Sequence, residues 1–260
     1  MSESGEDDKY RAPALAKGLD ILELLASEAD GLTLLEIGKK LGRTTSEIFR
    51  MVIVLRQRGY VQLGDSERYY LTTKMFEVAH RHPPIRRLTA IAGESMQTLA
   101  NRINQSIHMC IIHSGKLLVI AQVDCPDNNL NTVRLGAQIP LYDSASGRAL
   151  AAFLDQERLE NLLAVAGDEP KDRRARFLAD VSVVREVGYC EGPSLTIQGV
   201  VNLSAPIFDY TGQPVAALTT GFITRLTSSG RVSLSEARLA LVETCHNLSR
   251  RMGAAVAGRQ

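Results

Sequence analysis

The fold of the N-terminal region is predicted by residues 31–71, GLTLLEIGKKLGRTTSEIFRMVIVLRQRGYVQLGDSERYYL. This stretch opens with Thr33 followed by Glu36, the spacing of a capping box, in which a hydroxyl and a carboxylate satisfy the free amides of a helix start. Glycine often follows a helix end, because it adopts left-handed backbone angles at low cost. The pattern therefore predicts a short helix over 34–41 that ends at Gly42.

A further helix follows within the same stretch. One of the three hydroxyl residues at 44–46 supplies its N-terminal cap, and Gly59 closes it after about Arg58. Apolar residues recur along it at i, i+4 and i+7, which places them on one buried face. These residues are Ile48, Val52 and Leu55.

Two short runs with aromatic and β-branched residues then flank a Gly-Asp-Ser-Glu turn at 64–67. This arrangement predicts a β-hairpin of 60–63 with 69–71. An apolar pattern at helical spacing, from Ala14 to Leu25, precedes the stretch. Three helices followed by a hairpin are typical of a winged helix-turn-helix domain, which we assign to residues 13–72.

A helix-turn-helix places its second helix in the major groove of DNA. Short hydroxyl side chains reach phosphates or base edges there, and arginine binds guanine through two hydrogen bonds. Glutamate repels phosphate, yet it can accept a hydrogen bond from the amino group of cytosine. The predicted DNA contacts are Arg43, Thr44, Thr45, Ser46, Glu47, Arg50 and Arg68.

Charge is distributed unevenly along the chain. The 260 residues contain 30 Lys and Arg against 29 Asp and Glu, a formal net charge of +1, which excludes a protein that coats nucleic acid through bulk charge. Residues 43–58 nevertheless hold four arginines and one glutamate. A three-helix bundle with a solvated charged face is the alternative interpretation, but the coincidence of helix spacing, turns and hairpin favours DNA binding.

The rest of the chain predicts a second domain. Residues 1–12 are polar and predict a flexible tail, and residues 73–83 predict a linker helix that Pro83-Pro84 terminates. Residues 84–260 predict an α+β domain with an antiparallel sheet, because hairpin turns join its strands. The expected strands include SIHMCIIH, KLLVIAQVD, NTVRLG, VVNLSAPIF and PVAALTTGFI, with helices near 84–103, from 144, over 155–164 and 170–187, and over 233–252.

The chain resembles the IclR family of bacterial transcriptional regulators. The resemblance lies in residues 31–63 and, more specifically, in RLGAQIPLYDSASGRALAAF and VREVGYCEGPSLTIQGVVNLSAPIFDYTGQPVAAL. It implies a GAF-like effector-binding domain after a connecting helix, and homodimers that pair into homotetramers. It also implies control of a catabolic or transport operon in response to a small organic metabolite.

Small residues at Gly136 and Ala137 leave the backbone open to a ligand, and the helix that begins near Ser144 offers amides to an anion. Gly136 serving only a turn is the alternative. Members of the family that bind small keto acids resemble this chain in the Gly-Ala pair only. Their acidic residue, cysteine and two serines fall here on Gly192, Asn202, Thr219 and Gly221.

The two glycines predict an enlarged site and an effector bulkier than a two- or three-carbon keto acid. Period-2 geometry places Ser204 on the same face as Asn202, while Thr219 and Thr220 point to opposite faces. Asn202 as a satisfied core amide is the alternative. Glu191 is expected to be a solvated loop residue rather than a replacement for the missing carboxylate. The predicted effector-binding residues are Gly136, Ala137, Gly192, Asn202, Ser204, Thr219 and Gly221.

The sequence shows no motif typical of enzyme catalysis, metal binding or membrane insertion. No nucleophile elbow or phosphate-binding loop is present, which predicts that the protein is not an enzyme and needs no cofactor. The histidines and four scattered cysteines show no metal-ligand spacing, and His108 and His113 fall on opposite strand faces, at least one of them in the core. No apolar run is long enough for a membrane span and no signal peptide is recognisable, so a cytoplasmic location with reduced thiols is expected.

These observations predict a ligand-responsive repressor that binds operator DNA as a homodimer or homotetramer. Two alternatives remain at this point. The first is a small-molecule sensor whose winged helix contacts a protein partner, and the second is an enzyme of GAF-like fold.

Overall fold

The structure of the protein is a computed structural model, which describes residues 12–81, 83–127, 131–224 and 232–254. The chain divides into two compact units between Pro83 and Pro84. The predicted flexible tail lies outside the described residues, apart from Ala12.

In its described residues, the first unit combines α-helices with a small antiparallel sheet. Its helices are α1 (Pro13–Ala26), α2 (Leu34–Leu41), α3 (Thr45–Gln57) and α4 (Lys74–His80). Its strands are β1 (Leu32–Thr33), β2 (Val61–Leu63) and β3 (Arg68–Leu71), in the order β1-β3-β2. The predicted capping box of α2 forms, because the Thr33 amide donates to Glu36 at 2.8 Å and the Glu36 amide donates back to the Thr33 hydroxyl at 3.3 Å.

The core of the first unit lies where α1, α2 and α3 meet. Ile21, Ile37, Ile48 and Val52 are each fully buried there. Gly42 adopts left-handed angles, with φ of +62°, and so turns the chain from α2 into α3. The arrangement is a winged helix-turn-helix in which α3 occupies the place of the recognition helix.

The second unit is built on one six-stranded sheet. Its helices are α5 (Pro83–Ile103), α6 (Ala145–Ala151), α7 (Gln156–Ala166), α8 (Lys171–Val187) and α9 (Leu234–Arg251). Its strands are β4 (Ile107–His113), β5 (Lys116–Val123), β6 (Gln138–Ile139), β7 (Cys190–Pro193), β8 (Val200–Phe208) and β9 (Pro214–Ile223). The strand order is β6-β5-β4-β9-β8-β7 and all pairs are antiparallel, which confirms the predicted α+β architecture.

Helices cover both faces of this sheet. On one face, residues such as Met109 and Leu203 pack with apolar residues of α5 and α9. On the other face, Cys110 and Ala217 pack with residues of α6, α7 and α8, among them the fully buried Phe177. The centre of each face is therefore buried, and a polar group there needs a partner from the protein or from a ligand.

Two expectations for this unit were wrong. The segment NTVRLG, residues 131–136, forms no strand; it is a loop in which the Gly136 amide donates to the Val119 carbonyl at 2.9 Å. Glu191 lies in strand β7 rather than in a loop, and its exposed carboxylate pairs with Arg238 at 3.2 Å. A short edge strand such as β7 carries little periodic signal, since only alternate residues face the core.

Candidate DNA-binding surface and effector site

The N-terminal end of α3 is fixed by Glu47, one of the predicted DNA contacts. Its Oε2 accepts from the amide and the hydroxyl of Thr44, each at 3.0 Å, and its Oε1 accepts from Lys17 of α1 at 3.0 Å. The Thr44 amide, followed by the Lys17 ammonium and the Thr44 hydroxyl, holds the pKa of Glu47 at about 2. Both oxygens accept hydrogen bonds within the domain, so this carboxylate stabilises the helix start. Lys17 also neutralises its charge toward phosphate.

The exposed side of α3 carries Ser46 and Arg50. They lie four residues apart and therefore share a face, opposite the buried Ile48 and Val52. Thr45 is half-buried beside them. Among the described residues, Arg50 takes part in none of the ion pairs of this unit. The guanidinium of Arg50 is thus available to a ligand outside the domain.

The other two predicted arginines differ in their surroundings. Arg43 is exposed and only loosely paired, with Nη2 at 3.8 Å from Asp20 Oδ2. Arg68 is hydrogen-bonded within the domain, because its Nη1 donates to Glu36 at 2.7 Å and to the Gly31 carbonyl at 3.2 Å. The structure thus places Arg68 at the junction of the wing with α2, where its guanidinium is paired within the domain.

Phe49 and Lys17 are features of this surface that the sequence analysis missed. Phe49 lies on α3 beside Arg50 and is 48% exposed. Lys17 belongs to α1 and reaches α3 only through the tertiary fold. An aromatic residue outside the i, i+4, i+7 face was the sequence signal for Phe49, whereas no local pattern marks Lys17.

In the second unit, three buried hydroxyl groups form a chain at the sheet face that α6 covers. The Oγ1 of Thr219 lies 2.8 Å from Ser146 Oγ and 2.7 Å from Ser204 Oγ, and Ser204 also donates to the Leu218 carbonyl at 3.2 Å. Each of the three side chains is at most 4% exposed. The structure thereby brings together the predicted Ser204 and Thr219, and adds Ser146 from α6.

His108 extends this polar row. It pairs with Thr219 in the register of β4 and β9, as Ser204 does in the register of β8 and β9, so the three side chains point to the same face. His108 is 7% exposed, and burial lowers its pKa to about 4. The imidazole is therefore neutral at pH 7. The sequence analysis treated it as a candidate core histidine and left it out of the site.

The next row of the same face contains Asn202, which pairs with Gly221 on β9 and with Gly192 on β7. The space above Gly221 is filled, because a Cβ at Gly221 would lie 2.5 Å from Nδ2 of Asn131, which donates to the Gly221 carbonyl at 3.2 Å. Gly221 therefore does not enlarge the site, contrary to our expectation. A Cβ at Gly192 would have no atom within 4 Å, so the space at that position is open.

The Gly136-Ala137 pair lies elsewhere on the sheet. Gly136, with φ of +79°, and Ala137 bond to Val119 of β5, three strands from Asn202 of β8. With about 4.8 Å between neighbouring strands, the two places lie roughly 14 Å apart along the sheet. At the start of α6, the Ser144 hydroxyl accepts from the Gly147 amide at 3.0 Å, so the helix caps itself there.

Metal ligation and membrane insertion find no support in the described residues. No group of three or more His, Cys, Asp and Glu side chains among them is placed to hold a metal ion. The four cysteines are buried, and burial raises the pKa of Cys110 and Cys245 to about 12. No helix in the described ranges has the length and apolar character needed to cross a bilayer.

Comparisons with known proteins agree with this architecture. Residues 84–250 match the family "Bacterial transcriptional regulator IclR C-terminal", and residues 14–64 match "IclR helix-turn-helix domain". The chain is 28% identical to the HTH-type transcriptional regulator KdgR of Escherichia coli over 249 residues, 92% of each chain. It is also 28% identical to the glycerol operon regulatory protein of Streptomyces coelicolor over 247 residues, 93% of this chain and 96% of that one.

A solved structure of an IclR homologue from Microbacterium hydrocarbonoxydans, complexed with 4-hydroxybenzoate, has the same fold. The TM-score is 0.76 at 19% identity, and the match covers 93% of this chain and all of the other. The two family matches together span most of the chain and include both units. The predicted class of DNA-binding regulator is thus confirmed, and the chain belongs to the IclR family of bacterial transcriptional regulators.

Proposed function

We propose that this protein represses a catabolic or transport operon by binding operator DNA through α3, and that a small organic effector bound in the second unit changes that affinity. Arg50 beside Ser46 carries the DNA-binding part of the proposal, because it is exposed and forms no ion pair among the described residues of the first unit. Arg43, Thr44 and Thr45 flank these residues at the start of α3, where backbone amides face the phosphates in helix-turn-helix complexes.

An Arg50→Ala variant tests this role. The operator is first selected with the full chain from a random duplex library, and affinity is then measured by fluorescence anisotropy. Loss of a guanine-binding arginine is expected to lower operator affinity about 10- to 100-fold. Arg158→Ala removes one positive charge from α7 in the other unit and serves as the control. Equal affinities of the two variants would refute the assignment.

Salt dependence separates operator binding from a winged helix that contacts a protein partner. Lys and Arg contacts with phosphate release counterions, so the logarithm of the affinity for DNA is expected to fall linearly with the logarithm of the salt concentration. Arg43→Ala should flatten this slope by roughly one unit without changing the selected sequence. A slope near zero for the wild type would favour the protein-partner alternative.

The polar cluster on the α6 side of the sheet supports effector binding in the second unit. Ser204, Thr219 and Asn202 line successive rows of one face, and Gly192 leaves open space beside Asn202. The cluster consists of hydroxyl, amide and neutral imidazole groups, which suit an uncharged polar ligand or a weakly solvated carboxylate. Gly136 and Ala137 contact the same ligand only if it extends along the sheet toward β5.

Isothermal calorimetry with the full chain tests both the site and the ligand size. We expect aromatic, amide-like or cyclic acids such as 4-hydroxybenzoate to bind more tightly than glyoxylate or pyruvate. Asn202→Leu should weaken the effector response and leave operator binding intact in the absence of effector. Tight binding of glyoxylate would contradict the proposed ligand class, and an unchanged response of the variant would remove Asn202 from the site.

A homodimer or homotetramer is the proposed active form. Leu15 and Leu19 share one exposed side of α1, at 64% and 49% exposure, and Phe76 of α4 is 62% exposed. Burial of these side chains against a second copy of the chain would stabilise a dimer. Light scattering of the wild type and of a Leu15→Lys variant tests this, since the variant should shift toward monomer and lose cooperative operator binding.

Two further parts of the proposal concern catalytic activity and cellular location. The protein acts as a regulator without catalytic activity, in the cytoplasm, where its DNA target and its reduced thiols are found. A broad hydrolase and deaminase screen of the purified chain tests the first point, and any turnover that depends on Ser146 or His108 would overturn it.

A further inference from the structure

Phe49 is the one large aromatic side chain that α3 presents to solvent within the described first unit. It is 48% exposed and is absent from the apolar cluster that α1, α2, α3 and the small sheet form. The cluster is closed without it, since Ile48 and Val52 on the same helix are fully buried. Burying an exposed phenylalanine ring against a ligand is favourable, so Phe49 on the recognition helix is a candidate contact for bound DNA.

The position of Phe49 along the helix points to the bases. It is the fifth residue of α3, directly before Arg50, in the N-terminal half that enters the major groove. The Glu47 carboxylate is held by Thr44 and Lys17 toward the helix start and α1. The base-reading end of α3 therefore combines a hydroxyl, a guanidinium and an aromatic ring.

The major groove edges of the four base pairs carry one apolar group, the 5-methyl of thymine. A phenylalanine beside a guanine-binding arginine suits a thymine next to a guanine. We propose that Phe49 packs against a thymine methyl in each operator half-site and specifies that base. This inference rests on the proposed operator binding by α3 and adds the apolar part of its sequence recognition.

The test replaces single thymines of the selected operator by deoxyuridine, which removes the methyl group and keeps the base pair. Burial of one methyl corresponds to roughly a fourfold change in affinity. For the wild type, we expect about this loss at one thymine in each half-site. Phe49→Ala should weaken binding to the thymine operator and show no further loss at the same positions with deoxyuridine.

Two other variants complete the design. Phe49→Leu keeps an apolar side chain and should retain the difference between thymine and deoxyuridine, provided that thermal melts show an intact fold. Val54→Ala changes a side chain of equal exposure, 49%, in the C-terminal half of α3, and should leave that difference unchanged.

The outcomes separate this inference from the proposed function. If the wild type selects an operator but discriminates against deoxyuridine nowhere, or if Phe49→Ala keeps the wild-type deoxyuridine penalties, Phe49 does not read a thymine methyl. If the wild type selects no sequence at all, operator binding by α3 fails and this inference fails with it.

Discussion

The buried His108 makes the stability of the second unit depend on pH in a calculable way. Its pKa is about 4 in the folded chain, because burial disfavours the imidazolium, against 6.5 in an exposed histidine. The unfolded state therefore binds more protons than the folded state between these two values. Stability is complete above pH 6.5 and falls as the pH drops through the window from 6.5 to 4.

The magnitude follows from the same two values. Each unit of pKa difference corresponds to about 1.4 kcal/mol, so the full loss on reaching pH 4 is roughly 3 kcal/mol. At pH 5, an accessible condition for most proteins, the loss relative to pH 7.5 is about 2 kcal/mol. That is a large part of the 5–15 kcal/mol, or thereabouts, that holds a typical domain folded.

Urea denaturation of the full chain at pH 7.5, 6 and 5 measures this dependence, with a His108→Gln variant as the perturbation. Carboxylates also titrate in this range, so the informative quantity is the stability of the wild type minus that of the variant. We expect this difference to fall by about 2 kcal/mol between pH 7.5 and pH 5.

His113 provides the matched control, because it lies on the same strand and is exposed. The stability difference between the wild type and His113→Gln should stay constant over the same pH range. A constant difference for His108→Gln as well would show that water or a charged partner reaches the imidazole, and would refute the dry polar row beside Thr219.

Three further predictions concern single side chains. Among the described residues, none gives the buried hydroxyl of Thr220 a hydrogen-bond partner, so Thr220→Val should raise the free energy of unfolding by up to about 1 kcal/mol. Thr219→Val breaks the hydroxyl chain and should lower the free energy of unfolding by about 1–3 kcal/mol in the same urea assay. A Cβ at Gly147 would collide with the Leu141 carbonyl oxygen, so Gly147→Ala should lower the free energy of unfolding by roughly 1–3 kcal/mol. Gly93 lies on an open side of α5, so Gly93→Ala should raise the free energy of unfolding by about 0.5–1 kcal/mol. Equal effects of the two substitutions would contradict the packing at α6. Arg68→Ala removes the ion pair with Glu36, so it should lower the melting temperature of the first unit and leave the salt slope of operator binding unchanged. A flatter slope would show that Arg68 contacts a phosphate.

The first unit was predictable in detail because its signals are local. The capping box of Thr33 and Glu36, the glycine at 42 and the apolar repeat of α3 all act within a few residues. The helix bounds of 34–41 agree with the structure for the same reason. The roles of charged side chains were less predictable, since Glu47 and Arg68 are occupied by Lys17 and Glu36, which are 30 and 32 residues away along the chain.

In the second unit, strand pairing decided what periodicity left open. Alternation placed Asn202 with Ser204 and separated Thr219 from Thr220, as the structure shows. Alternation alone does not tell which strand lies beside which. The row of His108, Thr219 and Ser204 exists because β4, β9 and β8 are neighbours.

By itself, the sequence determined the winged helix-turn-helix, the α+β character of the second unit and the identity of the recognition helix, since these follow from short-range spacing and capping. Which polar groups are hydrogen-bonded to one another depends on the tertiary structure. Asn131 fills the space above Gly221 from a loop 90 residues away, and Ser146 of α6 completes the hydroxyl chain of Thr219 from a distance of 73 residues. Hydrogen bonds depend on contact in space, and contact between distant residues is fixed by packing rather than by any local pattern.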